Sequence, residues 1–174
     1  MLRFRRNEAW SREGRCPEGA RLNFDLDETD LRILRELQAD GRMTNVELAR
    51  RLGLSAPPCL RRVRALEEAG IIRGYRALVD QRALGYEVVF FAFVQLASQA
   101  EADLGAFQDR VRAWPAVREC WTLSGDIDFI LKCVATDLRA FQSVVADLTA
   151  LPTVRTLRTA VALDRVKDDP IAPV

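Results

Sequence analysis

The chain has 174 residues, of which 26 are Lys or Arg and 25 are Asp or Glu, and it contains no histidine. A hydrophobic fraction of 49% is enough to build a buried core, which excludes wholesale disorder. Without histidine, neither a Ser-His-Asp nor a Cys-His nucleophile system can form, and no His-ligated metal site can either. We therefore predict no catalytic residues, no metal site and no cofactor.

The cysteines and the apolar runs indicate a protein of the cytoplasm. No two cysteines form a C-x-x-C pair, which argues against zinc ribbons and thioredoxin motifs. Cys59, Cys120 and Cys133 lie within apolar runs and are predicted to be small buried hydrophobes. The longest apolar run, 88–94, is too short to cross a membrane, and no signal-peptide pattern is found.

Basic charge is concentrated in one short stretch. Residues 50–76 hold seven arginines and two acidic residues, whereas residues 81–174 hold ten basic and twelve acidic residues. This asymmetry predicts a segment that contacts a polyanion, followed by a segment that does not.

The N-terminal third predicts three short helices behind an arginine-rich tail. Residues 1–24 lack periodicity and are expected to form a flexible tail, followed by a helical domain over 25–70. Leu31, Leu34 and Leu37 recur at helical spacing, and Gly41 ends this first helix. A Thr44–Glu47 capping box predicts a second helix to residue 52. After a turn at Gly53, a third helix is expected from Ser55 to residue 69.

The third predicted helix has two different sides. Its apolar side consists of Cys59, Leu60, Val63 and Leu66. The opposite side carries Pro57, Pro58, Arg61 and Ala65, with Arg62 and Arg64 nearer its edges. An arginine-lined face suits the DNA major groove, since arginine binds both guanine edges and phosphates. The alternative is a solvated face of an ordinary bundle helix, although such faces normally mix charge signs.

The C-terminal half predicts a β-α-β-β-α-β order, the ferredoxin-like arrangement, so the fold class is α+β. We expect a linker strand at 71–80 within a hinge region 71–85, the ferredoxin-like domain over 86–167, and a tail at 168–174. Strands are predicted at 87–97, 117–123, 127–135 and 154–166, the middle two joined by a tight turn at 124–126. One helix opens with a Ser98–Glu101 capping box, and the other covers 137–148.

Residues 88–94 are apolar without alternation, which predicts that both faces of this strand are buried. One face lies under the helices, and a second subunit is the simplest cover for the other. The alternative is an apolar strand at the centre of the sheet.

Several motifs together resemble the Lrp/AsnC (feast/famine) family of transcriptional regulators. In the N-terminal half they are Leu26-Asp27-Glu28-Thr29-Asp30, Asp40-Gly41-Arg42, Asn45-Val46-Glu47-Leu48-Ala49, Leu52-Gly53-Leu54-Ser55 and Gly70-Ile71-Ile72-Arg73-Gly74-Tyr75. In the C-terminal half, Ser124-Gly125-Asp126-Ile127-Asp128 resembles the family's effector-binding motif. The resemblance covers residues 25–167.

The resemblance implies a dimer, in some relatives an octamer, that binds double-stranded DNA through the helix-turn-helix. It further implies a C-terminal RAM domain that binds an amino acid between subunits. The DNA-binding residues implied are Thr44, Asn45, Ser55, Ala56, Pro57, Pro58, Arg61, Arg62 and Arg64. The effector-binding residues implied are Leu123, Gly125, Asp126, Asp128, Thr159, Ala160 and Val161.

Alternation along the predicted strand places Asp128 opposite Phe129, toward the face assigned to subunit contact. A carboxylate there needs an offsetting partner. We expect the ammonium group of an amino acid to pair with Asp128 while its carboxylate meets backbone N–H groups near Gly125. A structural salt bridge between subunits at Asp128, and a plain hairpin turn at Gly125, are the alternatives.

Two other functions fit the same fold. One is a DNA-binding regulator or architectural protein that responds to no effector. The other is an enzyme of the sirohaem-decarboxylase type, whose dependence on histidine this sequence does not satisfy.

Overall fold

The computed structural model describes residues 25–174, so the arginine-rich tail predicted at 1–24 lies outside the described residues. The chain forms two compact units. The first ends at Ala77 and also includes Asp169–Val174, and the second is Leu78–Asp168. The segment predicted as a C-terminal tail thus belongs to the first unit, where Val174 packs beside the helical core and Gln38 Nε2 donates to the carbonyl of Ala172 at 2.9 Å.

The first unit consists of three helices: α1 (Glu28–Ala39), α2 (Asn45–Leu52) and α3 (Ala56–Glu68). A capping box between Asp27 and Asp30 starts α1, since each side chain accepts a hydrogen bond from the other's backbone N–H. At α2, Thr44 accepts from the Glu47 N–H at 3.2 Å. The predicted return bond is absent because the Glu47 carboxylate binds arginines instead.

A small apolar core holds the three helices together. Ile33, Leu48, Cys59 and Leu66 are almost completely buried in it. Truncating a side chain such as Leu66 to alanine leaves a cavity, which typically costs about 2–5 kcal/mol. Gly53 closes the α2–α3 turn at φ 71°, a left-handed conformation in which any other residue is strained.

The strand predicted over 71–80 is wrong for this chain. Ile71 and Ile72 pack against the helical core, and the residues that follow, to Asp80, have no regular secondary structure and form no ladder with any described segment. A strand requires a partner for its backbone groups, and the described chain offers none here. Leu78 is 94% exposed as a result. A short 3-10 helix, Arg82–Leu84, lies in the second unit before its first strand.

The second unit confirms the ferredoxin-like prediction. Its elements in chain order are β1 (Val88–Leu96), α4 (Glu101–Arg112), β2 (Val117–Thr122), β3 (Phe129–Ala135), α5 (Leu138–Thr149) and β4 (Val154–Val161). The four strands form one sheet in the order β2-β3-β1-β4. Every neighbouring pair is antiparallel.

Three local predictions in this unit need correction. β4 ends at Val161 instead of residue 166: Val161 pairs with Phe90 near the start of β1, and the Ala162 N–H makes the last bond, to the Val89 carbonyl. The Ser98 capping box is absent, since Ala100 is the N-cap of α4 and Ser98 accepts only from the Ala100 N–H. The β2–β3 turn extends past Asp126, and the Leu123 N–H donates across it to the Asp128 carbonyl at 2.9 Å.

The two faces of the sheet differ in how they are covered. Phe90 and Phe129 face α4 and α5, where Phe90 meets Phe141 edge-on at 4.8 Å between ring centroids. On the opposite face, called here the open face, Phe91, Phe93 and Ile130 are only half-buried within the chain. Both faces of β1 therefore carry apolar side chains, but only the face toward the helices is buried within one chain, so burial of the open face by a second subunit stays a prediction.

The edge position of β2 explains one wrong prediction about cysteines. Cys59 and Cys133 are buried as expected, but Cys120 is exposed. Cys120 lies on β2, which has a neighbouring strand on one side only and is poorly covered. Burial raises the pKa of the Cys133 thiol to about 12, which keeps it protonated and unreactive.

Candidate DNA-binding surface and effector site

The outward side of α3 is a positively charged surface. Pro57, Arg61 and Arg64 are exposed, while Cys59 and Leu66 on the opposite side are buried. Neither Arg61 nor Arg64 makes a hydrogen bond or ion pair with any described residue. Two guanidinium groups on one helix face are thus available to an external anion, and arginine is the residue that binds guanine edges and phosphates most often.

Arg62 is placed differently from its neighbours. Its Nη1 lies 2.8 Å from Asp27 Oδ2 and 2.9 Å from Asp30 Oδ1, the two residues of the α1 capping box. Asp30 is only 4% exposed. The bonds to Asp30 and Asp27 raise the pKa of Arg62, and the pKa of Asp27 is lowered, chiefly by the hydrogen bond from the Asp30 backbone.

Thr44 and Asn45 organise the turn between α2 and α3. Thr44 caps α2, and Asn45 Nδ2 donates to the carbonyl of Ala56 at 2.9 Å, which ties the starts of the two helices together. The Asn45 Oδ1 is buried and has no hydrogen-bond partner among residues 25–174. Ser55 is exposed at the N-cap of α3 and makes no capping bond, so its hydroxyl is available.

Much of the charge of the basic stretch is neutralised within the first unit. Arg50 and Arg51 both bind the Glu47 carboxylate, and Arg51 also reaches Glu36 on α1 at 2.9 Å. The hydrogen bonds from Arg50 and Arg51 lower the pKa of Glu47 to about 2. The count of seven arginines therefore overstates the positive charge available to DNA. Arg61 and Arg64 are the clearest contributors to the charge that is not neutralised.

The loop between β2 and β3 contains four predicted effector residues. Leu123, Gly125 and Asp126 are exposed, and Gly125 has a φ of 121°. Asp128 is 6% exposed, and its carboxylate accepts hydrogen bonds from the Leu96 N–H at 2.7 Å and from Gln99 Nε2 at 2.9 Å. Donors of the same chain therefore satisfy Asp128, without the ammonium or arginine that the sequence argument required.

Leu96 and Gln99 are partners of Asp128 that the sequence did not indicate. The pairing of β1 with β4 shifts register between Gln95 and Leu96, where Asp128 accepts the Leu96 N–H. No sequence pattern marked that irregularity. Gln99 follows β1 in a loop without periodicity, so a contact across 29 positions could not be anticipated.

The remaining predicted effector residues lie at the other end of the sheet. Val161 pairs with Phe90 near the start of β1, whereas the β2–β3 loop ends just before Phe129, which pairs with Val94. Four residues along a strand span about 13 Å, and two strand spacings add about 10 Å across the sheet. One chain therefore does not bring Thr159, Ala160 and Val161 together with Gly125.

Neither a metal-binding cluster nor a membrane-spanning helix is found in the described part of the chain. Residues 25–174 contain no cluster of three or more Cys, Asp or Glu side chains able to hold a metal ion. None of the helices described is long and apolar enough to cross a membrane.

Two family models match the chain, one in the helical unit and one over the unit that contains the sheet. Residues 26–73 match the model for a winged helix-turn-helix DNA-binding domain. Residues 89–172 match the Lrp/AsnC ligand-binding domain. The chain belongs to the Lrp/AsnC family of transcriptional regulators. It is thus a DNA-binding transcriptional regulator with a ligand-binding domain, and the enzyme alternative is set aside because this family regulates transcription.

Similar Lrp/AsnC proteins cover nearly the whole described chain. The leucine-responsive regulatory protein of Rhizobium meliloti (strain 1021) is 58% identical over 84% of this chain and 95% of its own length. That of Escherichia coli (strain K12) is 41% identical over 82% of this chain and 88% of its own length.

A solved structure of a transcriptional regulator is also similar to this chain over most of its length. A transcriptional regulator from Neisseria meningitidis, crystallised in complex with L-methionine, superposes with a TM-score of 0.82. It is 38% identical, and the match covers 86% of this chain and 97% of that one.

Proposed function

We propose that this regulator binds an amino acid between subunits of its ligand-binding domain, and that this binding changes its occupancy of DNA. The observation that carries the proposal is the separation of the predicted effector residues. The Gly125 loop adjoins the Val94 end of β1 through β3, whereas the Thr159–Ala160–Val161 stretch pairs with residues 90–92 on the other side of β1. A free amino acid is too small to bridge them in one chain, so a site that uses both requires a second subunit.

The open face supports assembly into a dimer. Phe91, Phe93 and Ile130 give it an apolar centre, and Trp121 on β2 is 51% exposed beside them. A homodimer that buries this face removes apolar surface from water, which is the main driving force of such association. Larger assemblies, including the octamer expected from the sequence, would then form from such dimers.

The effector is proposed to be an apolar amino acid. Two similar proteins are named for their response to leucine, and a third is crystallised with L-methionine. The exposed carboxylate of Asp126 suits the ammonium group, and backbone N–H groups near Gly125 suit the carboxylate. Asp128 stays a predicted contact, since each of its oxygens accepts one hydrogen bond, from Leu96 or Gln99, and has capacity for another.

The DNA-binding part of the proposal places α3 in the major groove. Arg61 and Arg64 contact base edges or phosphates, and Ser55, Ala56, Pro57 and Pro58 at the start of the helix approach the backbone or thymine methyl groups. Thr44 and Asn45 are proposed to support this surface from α2. A dimer presents two such helices, so the operator should be a pseudo-palindrome with half-sites separated by whole turns of about 10.5 bp.

The test combines calorimetry with a DNA-binding assay on the full chain. L-leucine and L-methionine are titrated, with glycine as the control, and fluorescence anisotropy then follows a duplex selected by the protein from a random-sequence library. Saturable binding of an apolar amino acid, together with a shift in DNA affinity, supports the proposal. DNA binding without any amino-acid binding would support the effector-independent alternative.

A further inference from the structure

The cluster of Asp27, Asp30 and Arg62 joins two helices that the function requires to be aligned. Asp27 is the N-cap of α1, Asp30 lies one turn further on, and Arg62 projects from the middle of α3. A single guanidinium nitrogen lies within 2.9 Å of both carboxylates. Asp27 and Asp30 also hold each other's backbone N–H groups, at 2.9 and 3.3 Å.

Because the Asp30 side chain is buried, breaking its ion pair with Arg62 is costly. The side chain of Asp30 is 6% exposed, so its charge is largely removed from water and depends on Arg62 and on the Asp27 N–H. Moving Arg62 to a phosphate would leave that carboxylate buried without its cation. Arg61, by contrast, gives up no contact with a described residue when it binds DNA.

Because of the position of Arg62 on α3, its ion pair with Asp27 and Asp30 restricts rotation of that helix. Successive residues of a helix are separated by about 100°, so Arg62 faces α1 while Arg61 and Arg64 face outward. The apolar side of α3, formed by Cys59, Val63 and Leu66, allows some rotation about the helix axis because apolar contacts are non-directional. An ion pair to a fixed helix start restricts that rotation.

We propose that Arg62 is a positioning residue, which fixes the rotation of α3 against α1 through Asp30 and Asp27 and thereby directs Arg61 and Arg64 at the DNA without contacting it. Arg62 thus has a different role from Arg61 and Arg64, although all three were predicted from the sequence to form one DNA-binding face. The inference rests on the proposal that α3 is the recognition helix, and the experiment below separates the two.

The test is a double-mutant cycle on the full chain, with anisotropy on the library-selected duplex over a range of salt concentrations. Arg62→Gln is made in the parent and in an Asp30→Asn background, and Arg61→Gln is the matched control in both. We expect Arg62→Gln to weaken binding roughly five- to tenfold in the parent but to have little further effect beside Asp30→Asn, because contacting residues are not additive. Its salt slope should stay unchanged.

Arg61→Gln should behave in the opposite way. It should weaken binding by the same factor in both backgrounds, and the salt slope should fall by about one if Arg61 binds a phosphate. Equal losses for Arg62→Gln in both backgrounds, with a reduced slope, would show that Arg62 contacts DNA and would overturn the inference. No effect of Arg61→Gln or Arg64→Gln would instead contradict the assignment of α3 as the recognition helix.

Two further variants test the proposal even if Arg62→Gln unfolds the helical unit. The double variant Asp30→Asn, Arg62→Gln removes the buried charge together with its partner, so it should melt above Arg62→Gln alone in circular dichroism. Arg62→Lys keeps the positive charge but loses the guanidinium fork. Because one nitrogen of Arg62 contacts both carboxylates, the lysine ammonium can take its place, so Arg62→Lys should keep the parent's melting temperature and most of its DNA affinity. A loss of DNA affinity in Arg62→Lys as large as that in Arg62→Gln, at an unchanged melting temperature, would contradict the positioning role.

Discussion

Asp128 accepts a hydrogen bond of 2.7 Å from the backbone N–H of Leu96, and this bond joins the β2–β3 loop to the end of the central strand β1. The second oxygen of Asp128 binds Gln99, which follows the same strand. A residue predicted to contact the effector therefore also holds the loop that carries Gly125 and Asp126.

Asp128→Ala should lower the free energy of unfolding by about 1–3 kcal/mol, because it leaves the Leu96 N–H buried without an acceptor. Asp128→Asn should cost less, since the asparagine oxygen can keep that bond while the Gln99 amide rotates to accept the other. Chemical denaturation of the full chain measures both. Asp126→Ala, which changes an exposed carboxylate of the same loop, is the control and should stay within about 0.5 kcal/mol of the parent.

Asp126→Asn should abolish amino-acid binding without changing the melting temperature, because the exposed carboxylate is proposed to pair with the ammonium group. Titration calorimetry with L-leucine and L-methionine checks the first part, and a thermal melt checks the second. Binding as tight as that of the parent would remove Asp126 from the site. In that case Asp128 would be the remaining acidic candidate for the ammonium group.

Arg61→Ala and Arg64→Ala should each weaken binding to the library-selected duplex by about 1–3 kcal/mol if the side chain contacts base edges. A residue that contacts only phosphate should weaken binding to all duplexes and reduce the salt slope by about one. Arg139→Ala, an exposed arginine of α5 in the other unit, is the control. A loss for Arg139→Ala equal to that for Arg61→Ala would indicate a general charge effect.

Glu47 should make the helical unit sensitive to acid. The pKa of Glu47 is lowered from its ordinary value of 4.5 to about 2, first by the hydrogen bond from Arg50 and then by that from Arg51. Its contribution is thus fully present above pH 4.5 and is lost as the pH falls toward 2. Thermal melts of the parent and of Glu47→Gln between pH 6 and 2 should converge at the acid end, and added salt should reduce the difference since the group is exposed.

Phe91→Asp should dissociate the assembly, because it places a charge at the centre of the open face. Sedimentation velocity of the full chain measures the change. Leu138→Asp is the control, since Leu138 is also an exposed apolar residue, at 65%, but lies on α5 away from the open face. A Phe91→Asp variant of unchanged sedimentation would place the subunit contact elsewhere.

The sequence alone determined which elements form and in what order. Leucines at helical spacing, the turn at Gly53 and the apolar run of β1 are local signals, and each produced the predicted element within a few residues. The apolar character of both faces of β1 was also predictable, since it depends only on alternation. The exceptions were the segment 71–80, which has strand-like residues but no partner in the described chain, and the end of β4.

Only the tertiary structure decided which charged side chains are available. Arg61, Arg62 and Arg64 form one run in the sequence, but Arg62 binds Asp27 and Asp30, residues more than thirty positions earlier. Asp128 is likewise satisfied by Leu96 and Gln99 on another strand and its loop. An ion pair or hydrogen bond between distant segments depends on the relative placement of whole elements, which local periodicity does not encode. The sequence therefore predicted two candidate surfaces, and long-range packing distinguished the individual residues within them.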